Sequence, residues 1–168
     1  MADEKIIGSI GVYKFITKIS FVTTDMNEIY QLLCFTPKRI IVAETGRFIP
    51  IENWKISDLF WTKSHYRLRE LNAPRRVEAR EQAAIKAGGL VRLPVERILE
   101  SNKANFPIAY EEIVKVTLQK PDKLIGWPLT ITTSINKYRY PLINKDEYNQ
   151  LMDLLRSILS DKLTVSQT

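Results

Sequence analysis

Cysteine and histidine are almost missing from this chain of 168 residues: Cys34 and His65 stand alone. A lone cysteine excludes an intramolecular disulfide. One Cys with one His also falls short of the clustered thiolates and imidazoles that hold zinc. Cys34 sits in the apolar run Leu32-Leu33-Cys34-Phe35. It reads as a buried thiol acting as a small hydrophobe, since a nucleophilic cysteine needs partial exposure and a nearby base. No apolar run approaches the ~20 residues of a membrane-spanning helix. The N-terminal Met1-Ala2-Asp3-Glu4-Lys5 lacks the basic and apolar regions of a secretory signal, so a cytoplasmic location is expected. Gly8-Ser9-Ile10-Gly11 is too short to be a phosphate-binding or dinucleotide fingerprint, and His65 has no G-x-S-x-G elbow near it. The carboxylate pairs Glu111-Glu112 and Asp146-Glu147 are adjacent in sequence and point to different faces, whereas acid–base partners must converge on one cleft. The expectation is a protein with no catalytic activity, metal or other cofactor.

What is present is ordinary globular material. With 45% hydrophobic and 26% charged residues, the chain can bury one core, and its length suits a single domain over 1–168. The net charge of +6 admits anionic membranes or nucleic acid as partners without requiring them.

Three zones follow one another. Residues 5–52 read as β: Ile29 to Phe35 and Ile40 to Ala43 form two apolar runs joined at Thr36-Pro37-Lys38, which predicts a hairpin. Thr24 to Asn27 is a turn signal. Residues 53–92 read as helical, with a first helix capped at Ser57-Asp58 and a second from Pro74, a residue tolerated in the first helical turn. Gly88-Gly89 ends it. In the third zone, residues 93–160, Val95 to Leu99 leans towards strand. Ser101 to Asn105 is a turn, Ile113 to Leu118 a strand, and Leu129–Thr133 with Tyr138–Leu142 a hairpin. Asn144 with Glu147 makes a capping box. Tyr148, Leu151, Met152, Leu155, Ile158 and Leu159 then fall on one helical face. Residues 161–168 read as a frayed tail.

The charge is concentrated. Between Thr62 and Arg92 eight cations face three carboxylates, a net +5 of the chain's +6. Arginine is the better bidentate partner for phosphate, and Arg67, Arg69, Arg75, Arg76 and Arg80 cluster here. Arg76 and Arg80, at i and i+4, share a helix face with Ala83 and Ala87, while Val77, Ala84 and Ile85 lie on another. A cationic ridge preceded by Trp61 and Tyr66 suits an anionic partner: a membrane surface, an acidic protein, or nucleic acid as the alternative. The plain alternative is a solvated charged face, with Glu78 paired to Arg75. His65 reads either as an ordinary helical histidine or as a contact to an anionic ligand.

The string Thr36-Pro37-Lys38-Arg39-Ile40-Ile41-Val42 is followed later by Ile108-Ala109-Tyr110-Glu111-Glu112-Ile113-Val114-Lys115-Val116, then a hairpin and one amphipathic helix. This order resembles the pleckstrin-homology-like superfamily, particularly its small prokaryotic members. Ala109 stands where their pattern prefers proline, and residues 53–92 are an insertion foreign to it. The resemblance implies an α+β fold: an antiparallel barrel or sandwich from residues 5–52 and 93–160, capped by the C-terminal helix. It also implies a binding module for lipids or peptides, while homo-oligomerisation through the insertion is a further alternative.

Overall fold

A computed structural model describes residues 4–16, 27–50, 61–119, 128–141 and 145–166. The fold is α+β. Strands β1 (Gly8–Ile16), β2 (Asn27–Phe35), β3 (Arg39–Phe48) and β4 (Phe106–Ala109) form one antiparallel sheet in sequence order. The second sheet runs β7-β6-β5-β8, built from β5 (Ile113–Gln119), β6 (Pro128–Thr133), β7 (Lys137–Pro141) and β8 (Leu163–Ser166). Helix α1 (Trp61–Leu90) and the short α2 (Val95–Glu100) stand between β3 and β4, and α3 (Lys145–Leu159) precedes β8.

One core joins the halves of the chain. From the first sheet it takes Ile10, Val12, Leu33, Phe35, Ile40 and Val42. From the second it takes Val116, Leu118, Leu129, Ile131 and Tyr140. Helix α3 adds Tyr148, Leu151, Leu155 and Leu159, all on the face its periodicity predicts. Each of these large apolar side chains contributes roughly 1.5–3 kcal/mol by leaving water. Phe106 of β4 stacks on Tyr138 of β7, with ring centroids 5.5 Å apart, and ties the two sheets together at that side.

The central strands β2 and β3 are buried on both faces over Leu32–Phe35 and Ile40–Ala43, which explains their unbroken apolar runs. Leu32, Cys34, Ile41 and Ala43 turn away from the main core and pack against Leu90, Val95 and Ile98 of the helices. Farther along the same face, Tyr30 and Phe48 meet Ala83 of α1. A Cβ on Gly46 would lie 3.2 Å from Ala83 Cβ, so the glycine lets the helix come down onto β3.

The β2–β3 turn is a meeting point. Thr36 Oγ1 accepts hydrogen bonds from the backbone N–H of Lys38 (3.3 Å) and Arg39 (3.1 Å). Tyr110, from a single 3-10 turn ahead of β5, donates its hydroxyl to the Thr36 carbonyl at 2.6 Å. Lys162 Nζ in turn donates to the Tyr110 carbonyl at 2.7 Å. Glu4 accepts from Arg39 Nε and Nη2 at 3.0 and 2.7 Å and from the Thr36 hydroxyl, and Arg39 also reaches Glu96 of α2 at 2.6 Å. Burial pushes the Glu4 carboxyl up, but the bonds from Arg39 and Thr36 outweigh it and leave the group below its usual value.

Several expectations are corrected. The α+β class is as expected and the strands form two sheets, but the second is not wholly antiparallel: β8 pairs with β5 in parallel, Val116 opposite Leu163 and Gln119 opposite Ser166. The segment expected to fray therefore supplies a strand. α1 is one helix of 30 residues running through Pro74, not two helices. Pro74 is exposed, so water can satisfy the Glu70 carbonyl that loses its N–H partner. Val95 to Leu99 is helical, burying Val95 and Ile98 one turn apart. The caps expected at Ser57-Asp58 and Asn144, and most of the turn at Thr24 to Asn27, lie outside the described residues.

Candidate functional site

The basic helix α1 is where the sequence places a binding ridge, and its orientation decides what that ridge can do. Ala79, Ala83, Ala87 and Leu90 pack against the first sheet. That is the face shared by Arg76 and Arg80, so both guanidiniums turn inward, towards β2. There they meet Glu28, whose residue is only 3% exposed. Arg76 Nε lies 3.0 Å from Glu28 Oε1, and Arg80 Nη2 lies 3.2 Å from Oε2. The Tyr30 hydroxyl donates to Glu28 Oε2 at 2.6 Å. Two guanidiniums thus share one carboxylate, and two aromatic faces stand beside them: Arg76 lies 4.8 Å above Phe48 and Arg80 lies 5.9 Å above Tyr13.

The local sequence builds this cluster. Glu28, Tyr30, Leu32 and Cys34 alternate onto the helix-facing side of β2, so the carboxylate lands under α1. The small alanines on α1 allow a close approach, and arginines on the same face reach down to the acid. Burial pushes the Tyr30 hydroxyl up to about 12, with its bond to Glu28 adding to the shift. Burial acts against the charge on Arg80, but its interactions with Tyr30 and Glu28 outweigh that and hold its proton more tightly.

The other residues of the expected ridge divide into two groups. Arg75 is exposed, with Nη1 3.5 Å from Asn72 Oδ1. Trp61, His65, Tyr66, Arg67 and Arg69 belong to α1 by backbone, and their side chains lie outside the described residues. Val77 and Ile85, with Leu71, face solvent at 56%, 69% and 52% exposure. The two faces distinguished in the sequence are real, but the arginine face is the inner one.

Cys34 is fully buried, and burial alone pushes its thiol up to about 12. It carries no thiolate at neutral pH. Glu111 and Glu112 are exposed on the 3-10 turn. Among the described residues no helix is long and apolar enough to cross a membrane.

A cationic surface that the basic segment did not suggest lies on the second sheet. Lys115, Lys137 and Arg139 point outward from β5 and β7, over a depression of 340 Å3. Among the described residues none of the three forms an ion pair. Arg39, Arg47, Arg76, Arg80 and Arg97, by contrast, all pair with glutamates. The signal was present in the alternation of Lys115-Val116-Thr117-Leu118-Gln119 and of Lys137-Tyr138-Arg139-Tyr140, where every outward position is polar and none is acidic.

Comparison with protein-family models, with curated proteins and with solved structures finds no match to this chain.

Proposed function

We propose that the protein is a non-catalytic binding module with a pleckstrin-homology-like core that recognises an anionic partner through the outer face of its second sheet. The core assignment is supported by the order of elements: four antiparallel strands, three more, and an amphipathic helix set into the shared core, with α1 and α2 inserted between β3 and β4. The observation that carries the function is the trio Lys115, Lys137 and Arg139, which forms no ion pair among the described residues. Opposite charges set across from one another stabilise a sheet surface, and here the charge has one sign and, among the described residues, no ion-pair partner. Arg76 and Arg80 are committed to Glu28, which leaves α1 a weaker candidate for the same task.

Retention on an anionic support, such as polyglutamate or anionic liposomes, across a salt series tests this. The triple reversal Lys115→Glu, Lys137→Glu, Arg139→Glu is expected to abolish retention. The α1 pair Arg75→Glu, Lys86→Glu is expected to leave it largely intact. The opposite pattern returns the function to α1.

A second reading rests on the outward exposure of Leu71, Val77 and Ile85, which supports assembly with a second copy through α1. Light scattering that finds a monomer at every concentration removes it, and a dimer broken by Val77→Glu with Ile85→Glu sustains it.

A further inference from the structure

The second sheet does more than collect positive charge; it arranges donors in a grid. Strand register sets Lys115 opposite Thr132 and Thr132 opposite Lys137. The adjacent row sets Thr117 opposite Thr130 and Thr130 opposite Arg139. Neighbouring strands lie ~4.8 Å apart, and residues two apart on one strand are separated by ~6.7 Å. Two hydroxyls of β6 therefore occupy the middle, with cations on both sides of Thr132 and on one side of Thr130. Gln119 closes one end of the depression with an amide.

Resting on the proposed anion-binding role of this face, we infer that its ligand is a small molecule carrying two linked phosphoryl groups. Four features lead there. The depression, at 340 Å3, is of small-molecule size. Among the described residues its lining has no aromatic side chain for a base to stack on, as single-stranded nucleic acid requires. Among the described residues it also has no large apolar side chain to enter a membrane interface. Finally, a phosphate monoester carries about −1.5 to −2 charges at neutral pH, so three cations overmatch one phosphoryl group and suit two. The threonine hydroxyls donate to phosphoryl oxygens between the cations, which strengthens both contacts in the charge-assisted manner. Carboxylates would meet the same cations, and an acidic peptide is therefore one arm of the test.

Isothermal titration calorimetry at fixed ionic strength tests the assignment, with inorganic pyrophosphate, orthophosphate and an oligoglutamate peptide as ligands. Pyrophosphate is expected to bind about tenfold or more tightly than either of the others. Arg139→Ala and Lys137→Ala are each expected to weaken it by about tenfold or more, the scale of one lost charge-assisted hydrogen bond. Thr130→Val, which removes one hydroxyl at nearly constant shape, is expected to weaken it several-fold, and Lys103→Ala, outside this face, to leave it unchanged. Oligoglutamate bound in preference to pyrophosphate, and lost in Arg139→Ala, overturns the diphosphate assignment while the anion-binding role stands. No binding of any anion overturns both, and so does binding indifferent to all the β5–β7 substitutions. ADP in place of pyrophosphate, and phosphatidylcholine vesicles doped with phosphatidic acid, identify the source. Tighter binding of ADP assigns the diphosphate to a nucleotide. Binding to vesicles without binding to free pyrophosphate overturns the inference.

Discussion

Removing the Glu28 carboxylate is expected to destabilise the protein by about 3–5 kcal/mol, the range for breaking a buried ion pair from one side. The structure favours the lower end for Glu28→Ala. The side chains of Arg76 and Arg80 are 29% and 46% exposed and can regain some water, and the main loss is the buried Tyr30 hydroxyl left without its acceptor. For a domain of this size each kcal/mol moves the melting temperature by roughly 2–4 °C, so 3 kcal/mol corresponds to about 6–12 °C. The reverse deletion, Arg76→Met with Arg80→Met, is expected to cost more, because Glu28 at 3% exposure has no route to water. Adding Glu28→Leu to the arginine variant is expected to recover the part of the loss that comes from the bare charge, but not full stability, because the Tyr30 hydroxyl then lacks its acceptor. Urea unfolding of the wild type, the two deletions and the triple variant gives the complete cycle. A Glu28→Ala variant within 0.5 kcal/mol of wild type, with α1 still helical by circular dichroism, refutes the claim that this cluster seats the helix.

Three further outcomes are expected. Gly46→Val is expected to cost about 1–3 kcal/mol and to loosen α1, because its side chain must occupy space already 3.2 Å from Ala83; protease sensitivity within residues 70–90 reads this out. Tyr30 and Tyr110 both have hydroxyls pushed up to about 12, in each case chiefly by burial. The unfolded chain ionises near 10, so their stabilising contribution is complete below pH ~10 and falls between ~10 and 12. Urea midpoints across that window should drop, and a flat profile contradicts it. Cys34 in the native protein is expected to resist a thiol reagent and to react only at the rate of unfolding; Cys34→Ser should cost about 1–3 kcal/mol through a buried hydroxyl, and prompt modification of the folded wild type counts against its burial.

Local chemistry was the part of this fold most legible in the sequence. The Thr36-Pro37-Lys38 turn, the 129–133 and 138–142 hairpin and the face of α3 follow from turn residues and periodicity alone. Pro74 points the wrong way because proline is favoured in a first helical turn and costs about 3 kcal/mol in a helix interior, a local preference that the continuous helix overrides. Val95 to Leu99 is too short for its period to choose between helix and strand. Leu163-Thr164-Val165-Ser166 alternates as a strand should, but its partner β5 lies more than forty residues away. That Arg76 and Arg80 share a face with Ala83 follows from their spacing, but which way that face turns does not. Direction depends on Glu28, which precedes Arg80 by 52 residues in the chain, and on the glycine beneath Ala83. The cations of the second sheet were passed over because they are spread over two strands and become a cluster only through register.

Because β2 and β3 are dry on both sides over Leu32–Phe35 and Ile40–Ala43, these two strands lack the usual means of telling one alignment from another. Sliding β2 against β3 by one residue would exchange Leu32 and Cys34 for Leu33 and Phe35, apolar for apolar, where a sheet wet on one side would expose its core. The correct alignment must be remembered elsewhere. It is held at the two ends of the hairpin: by the Thr36 hydroxyl, which fixes the turn, and by the irregularity between Tyr30 and Gln31, beyond which Glu28 finds its arginines. A chain altered at either end is therefore expected to misalign before it unfolds, giving compact, long-lived misfolded species and slow refolding.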